Sequence, residues 1–191
     1  MRKLDKLNLF GGSLDGPFMD DALPITGLSI YATVIAPLAL GPTALRSVRA
    51  LHLAVSQGAA MQPYLPLLPQ LTSLSLSYLL TTQDLNALIT ASTSLTFLSL
   101  RPRHFIDLDT ATLLVIKQRI TTLKLFLSWG GEVAQTLIKI IEGSAVMKKI
   151  ILDGSFATAT FETTAVMVEL FSKFESACKK EGMNYGEKIG G

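Results

Sequence analysis

The chain has 191 residues, enough for one domain with a sizeable core and not comfortably two. An apolar fraction of 49% against 17% charged excludes disorder, and a net charge of +2 is too small to make a polyanion-binding surface, so nucleic acid is not expected as a partner. The single cysteine, Cys178, rules out a disulfide framework and a cysteine-rich zinc site, and fits a reducing, intracellular compartment, cytoplasmic or nuclear.

Read from the start, Met1-Arg2-Lys3 is basic but is not followed by the unbroken apolar stretch of a secretory leader. No apolar run approaches the roughly 18–20 residues of a membrane-spanning helix. The longest, Val34 to Leu40, carries Pro37, so no membrane is expected as a partner either. What recurs instead is a triplet, an aliphatic residue followed by others three and five places on. It occurs as Leu4-Leu7-Leu9, Ile25-Leu28-Ile30, Val48-Leu51-Leu53, Leu71-Leu74-Leu76, Leu95-Leu98-Leu100, Ile120-Leu123-Leu125 and Met147-Ile150-Leu152. The first positions lie 21, 23, 23, 24, 25 and 27 residues apart. The second and third members are separated by one residue, so in a strand they point to the same face. One such unit cannot bury its apolar side alone, whereas stacked units share a continuous core beneath a parallel sheet.

The segments between triplets change character along the chain. The early ones contain Pro37, Pro42, Pro63, Pro66 and Pro69, which predicts short or irregular helical turns. Asp84 to Ile89, Asp109 to Lys117 and Glu132 to Ile141 space their apolar residues as helices do, with Gly143 ending the last of these. From about Thr160 to Lys180 the period breaks, and Phe161, Val168, Phe171, Phe174 and Cys178 form one face of a long helix stopped by Gly182. That helix reads as a C-terminal cap over the last exposed core. The expected organisation is therefore a right-handed α/β solenoid of about seven units over 1–158, a capping helix over 159–182 and a flexible tail over 183–191. No cap is visible before Leu4, so the first strand's edge either follows a further segment or is a surface for self-association.

The triplets resemble the leucine-rich-repeat family, whose pattern is Leu-x-x-Leu-x-Leu-x-x-Asn/Cys-x-Leu, over about residues 4 to 157. Lines such as Leu67-Leu68-Pro69-Gln70-Leu71-Thr72-Ser73-Leu74-Ser75-Leu76 are similar to the repeat region of fungal-type F-box proteins, and Phe174 to Gly182 looks like their closing helix. The resemblance implies a protein-binding module without catalysis or cofactor, the substrate-receiving part of a ubiquitin-ligase adaptor. There is no F-box segment in the sequence, so docking to a cullin-type ligase is not expected of these residues alone. The Asn/Cys position is held by Gly12, Thr33, Ser56, Leu79, Arg103, Ser128 and Ser155, so no asparagine ladder can form.

In that architecture the residues between and just after the inward leucines form a concave sheet face. Tyr31, His52, Tyr78, Phe97, Arg101, Lys124 and Phe126 are its candidate partner-binding residues, an aromatic and basic set suited to a protein segment with acidic and apolar groups. Exposed strands also favour serine, threonine and aromatics for their own sake, which is the plainer reading of the same residues. His52 and His104, the only histidines, have no carboxylates or cysteines at metal-ligand spacing. Asp107 and Asp109 read as helix-start residues, Asp20 and Asp21 likewise. Cys178 reads as a buried structural thiol, and Trp129 as packing over a sheet end. Gly11, Gly12, Gly16, Gly130 and Gly131 read as turn formers after strands. A small doubly wound nucleotide-dependent enzyme is the alternative, but Phe10-Gly11-Gly12-Ser13-Leu14-Asp15-Gly16 is a poor phosphate-binding turn. A truncated, non-functional copy is the third reading.

Overall fold

The computed structural model describes residues 4–14, 25–35, 47–55, 69–77, 81–101, 108–126, 131–153 and 161–188. The chain divides into two compact units, Met1–Thr96 and Phe97–Gly191. Both are α/β, and the described strands pair in parallel within each.

In the first unit, strands β1 (Leu4–Leu14), β2 (Ile25–Ile35), β3 (Ala50–Val55) and β4 (Ser73–Leu76) neighbour one another in chain order, followed by helix α1 (Thr82–Ala91). The register aligns the triplets. Leu7 pairs with Leu28, Leu28 with Leu51, and Leu51 with Leu74, while Leu9, Ile30, Leu53 and Leu76 form the next row. A one-residue slip would turn every one of these side chains to the opposite face, so the apolar pattern itself fixes the pairing. Ile25, Leu28, Ile30, Val48, Leu51, Leu53, Leu71, Leu74 and Leu76 are all buried. Helix α1 contributes Leu85, Leu88 and Ile89 to the core. It starts at Thr81, whose hydroxyl accepts from the Asp84 amide (3.1 Å) and donates to the Asp84 carboxylate (2.7 Å).

The residue after each first triplet member forms a second ladder at the strand entries. The Arg49 amide donates to the Thr26 carbonyl, the Thr72 amide to that of Arg49, and the Thr96 amide to that of Thr72. The Thr72 and Thr96 hydroxyls donate to the same two carbonyls, at 3.1 and 3.2 Å.

The second unit alternates regularly: β5 (Phe97–Leu100), α2 (Thr110–Arg119), β6 (Thr122–Phe126), α3 (Gly131–Ile141), β7 (Lys149–Asp153), α4 (Phe161–Lys180) and β8 (Asn184–Lys188). Leu98, Leu123 and Ile150 share one row, and Leu100, Leu125 and Leu152 the next, all buried. Asp109 caps α2, its carboxylate accepting from the Thr112 amide at 2.7 Å. Those hydrogen bonds hold its pKa below the ordinary value. Ser144, just past α3, accepts from the Met147 amide and donates to the Lys117 carbonyl, joining the ends of α2 and α3 to the entry of β7. Gly182 ends α4 at φ 65°, with the Met183 amide donating back to the Cys178 carbonyl at 2.8 Å.

Three expectations are corrected. The segment 183–191, expected as a flexible tail, carries β8, which pairs along β7 from Lys149↔Asn184 to Asp153↔Lys188. Helix α4 is accordingly the return between β7 and β8 and not the closing element. The triplet search misses β8 because Asn184 to Lys188 holds no aliphatic triplet; Met183, just before it, is buried. Gly11 and Gly12, expected in a turn, lie inside β1, with Gly11 opposite Ala32. Both β1 and β2 continue to the pair Leu14↔Ile35, through the positions where the family pattern turns on asparagine. With glycine and threonine there, and Thr33-Val34-Ile35 of high strand preference following, the extended backbone simply runs on.

Candidate functional site

The face opposite the buried rows carries the candidate residues, and each unit arranges its own differently. In the first unit, Phe10 and Tyr31 sit side by side on β1 and β2, and their rings stack at 4.7 Å with planes 7° apart. The His52 ring on β3 lies 5.2 Å from Tyr31, tilted by 37°. Its Nε2 is 3.4 Å from the Ser77 hydroxyl. The result is a ladder of three rings across three strands. Phe10 is 72% exposed and Tyr31 38%, while His52 is half-buried. Burial lowers the His52 pKa, favouring the neutral ring. Around the ladder stand Gly27, Ser29, Ala50, Ala54, Ser73 and Ser75, small enough to leave the rings standing proud. Tyr78 lies outside the described residues.

In the second unit the side of its own strands opposite the buried rows is ionic. Lys124 forms a salt bridge with Asp153 on the next strand, and its ammonium lies 4.4 Å from the centre of the Phe126 ring. Phe126 and Asp153 are register partners. Phe97 is half-buried beside Thr122, and Arg101, just past β5, is exposed. Ser99, expected on this face, is 1% exposed, and its hydroxyl has no hydrogen-bond partner among the described residues. Tyr31 and His52 thus belong to one constellation and Lys124 and Phe126 to another, while Phe97 and Arg101 lie at the two ends of the neighbouring strand β5. Sequence reasoning placed Phe10, Ser77 and Asp153 in the outward rows but left them out of the site. The missing signal was register: only strand pairing makes Phe10 a neighbour of Tyr31, or Asp153 a neighbour of Phe126.

The chemistry within reach is recognition by stacking, ion pairing and hydrogen bonding. No group of three or more histidine, cysteine or acidic side chains suited to a metal occurs among the described residues. His104, Asp107, Asp20, Asp21, Gly16, Trp129 and Gly130 lie outside them, and Gly131 opens α3. Cys178 is buried on α4 beside Phe174 and Ala177. Burial, with the Glu175 carboxylate adding to it, pushes its thiol up to about 11, away from the reactive thiolate. Among the described residues no helix is long and apolar enough to cross a membrane. Comparisons with protein-family models, curated proteins and solved structures find no match to this chain.

Proposed function

We propose that this chain is a non-catalytic protein-binding module of the leucine-rich-repeat solenoid type, using the sheet face opposite its leucine rows to hold a partner segment with acidic and apolar groups. The observation that carries the reading is the division of labour along each strand. From Ile25 onward the triplet members take the core, while the residues between and after triplet members present Phe10, Tyr31 and His52 in one unit and Arg101, Lys124 and Phe126 in the other. Aromatic rings and arginine are the side chains that most often dominate binding energy at protein interfaces. A ring held by its neighbours loses little freedom on binding. An incoming carboxylate would find Arg101 exposed and could replace Asp153 at Lys124. The ubiquitin-ligase adaptor role stands on the family resemblance alone.

Affinity capture with the native chain, quantified against two double variants, tests this reading. Tyr31→Ala with His52→Ala, and Arg101→Ala with Phe126→Ala, should each deplete a common set of captured proteins while leaving the melting temperature nearly unchanged. An identical captured set from all three proteins would reject the face as the docking surface.

A further inference from the structure

We propose that two copies of this chain associate through β1, antiparallel about a two-fold axis at Phe10, so that the ring ladders of the two copies join into one. The inference concerns the edge of the first unit's sheet and does not rest on the partner-binding reading. Among the described residues β1 pairs on one side only, with β2. The backbone groups along its other side are therefore a template for another strand. Edge strands of natural proteins are usually blunted by charges, prolines or bulges. From Leu7 to Leu14 the sequence has no charged residue and no proline, and it lies within a strand of eleven residues. The core is also open here. Leu7 is half-buried, whereas Leu28 opposite it and Leu51 in the same row are 2% and 4% exposed.

The aromatic ladder says what kind of strand fits. The Phe10–Tyr31 separation of 4.7 Å matches the spacing of about 4.7–4.9 Å between adjacent strands. The next ring in the series would therefore stand on a strand bonded to the side of β1 away from β2, against the side of Phe10 that Tyr31 does not cover. The strand required is uncharged and extended and carries an aromatic residue at that position. A second β1 meets these conditions from Leu7 to Ser13, with Lys6 of each copy opposite Leu14 of the other at the two ends. Pairing antiparallel about Phe10 sets Phe10 of each copy opposite the other and keeps Asn8 and Phe10 on the outward face in both. A self-complementary contact of this kind closes as a dimer.

Sedimentation equilibrium on the full chain reads the mass directly. The native protein should move from monomer to twice its sequence mass across the micromolar range, and Phe10→Lys, which sets like charges directly opposite, should stay monomeric with an unchanged far-ultraviolet circular dichroism spectrum. Should Phe10→Lys fail to fold, the geometry is read by cross-linking. Under oxidising conditions Phe10→Cys should give a covalent dimer, and Lys6→Cys, which has no like residue opposite it, should not; the native Cys178 is buried. A native chain that remains monomeric, a dimer that survives Phe10→Lys, or equal cross-linking from both cysteine variants would overturn the proposal.

Discussion

In the first unit two strands reach eleven residues and one helix is described, whereas in the second no strand exceeds five and three helices alternate with them. Yet the leucine rows of both are equally dry: Leu74 and Leu76 in one, and Leu123 and Leu125 in the other, are all 0% exposed. The segments between the strands differ in sequence. Seven of the eight prolines precede Thr96, and the first glutamate is Glu132. Proline is disfavoured inside a helix, so the sequence predicts shorter or less regular helical turns before Thr96 than after it. From Ile25 onward the triplet members are buried in both units, and the paired triplets keep one register within each unit. The outward face is freer, holding stacked rings in one unit and a salt bridge in the other.

If the rows are equivalent, truncating either should hurt equally. Leu76→Ala and Leu123→Ala should each cost about 2–5 kcal/mol in urea denaturation, as fully buried leucines do when a cavity is left. Ser75→Ala, on the outward side of the same strand, should be nearly silent. A large cost in one unit and a small one in the other would break the equivalence. Next in size is the end of α4. Gly182 holds a left-handed backbone with open space around its missing side chain, so Gly182→Ala meets conformational strain alone and should cost about 1–2 kcal/mol by thermal denaturation. At the start of α1, Thr81→Ala removes a cap and should cost about 0.5–2 kcal/mol, measured the same way.

The smallest effect is on pH. Burial depresses the folded His52 pKa, so as pH falls through the ordinary imidazole range the unfolded chain takes up its proton first. Stability should therefore decline over that range, and His52→Gln should flatten the decline. A profile identical in both proteins would mean that the ring is no more buried folded than unfolded.

Much of this was legible in the sequence because leucines at fixed spacing leave a pattern that no other residue blurs. Strand positions follow from it, and the four helices described above follow from the apolar spacing of the segments between and after the triplets. The turn positions did not, because Gly12 and Thr33 could serve either a bend or a continuing strand, and only pairing to the neighbour decides. Strand β8 was hidden for the opposite reason: Asn184-Tyr185-Gly186-Glu187-Lys188 owes its conformation to β7 and hardly at all to its own pattern. Of the candidate site, the rows were readable but not the contacts within them, since Phe10 meets Tyr31 and Lys124 meets Asp153 only across strands. The threonine ladder had a visible cue in Thr26, Thr72 and Thr96, each one place after a triplet's first member.

The central claim is that, within each unit, consecutive triplets lie side by side, parallel and in register. Backbone nuclear Overhauser contacts in the isotopically labelled protein test it most directly. The account predicts that Leu28 neighbours Leu51 while Ile30 neighbours Leu53, and that Leu123 neighbours Ile150 while Leu125 neighbours Leu152, partners advancing together along both strands. Partners that advance along one strand while retreating along the other would mean antiparallel pairing and would contradict it.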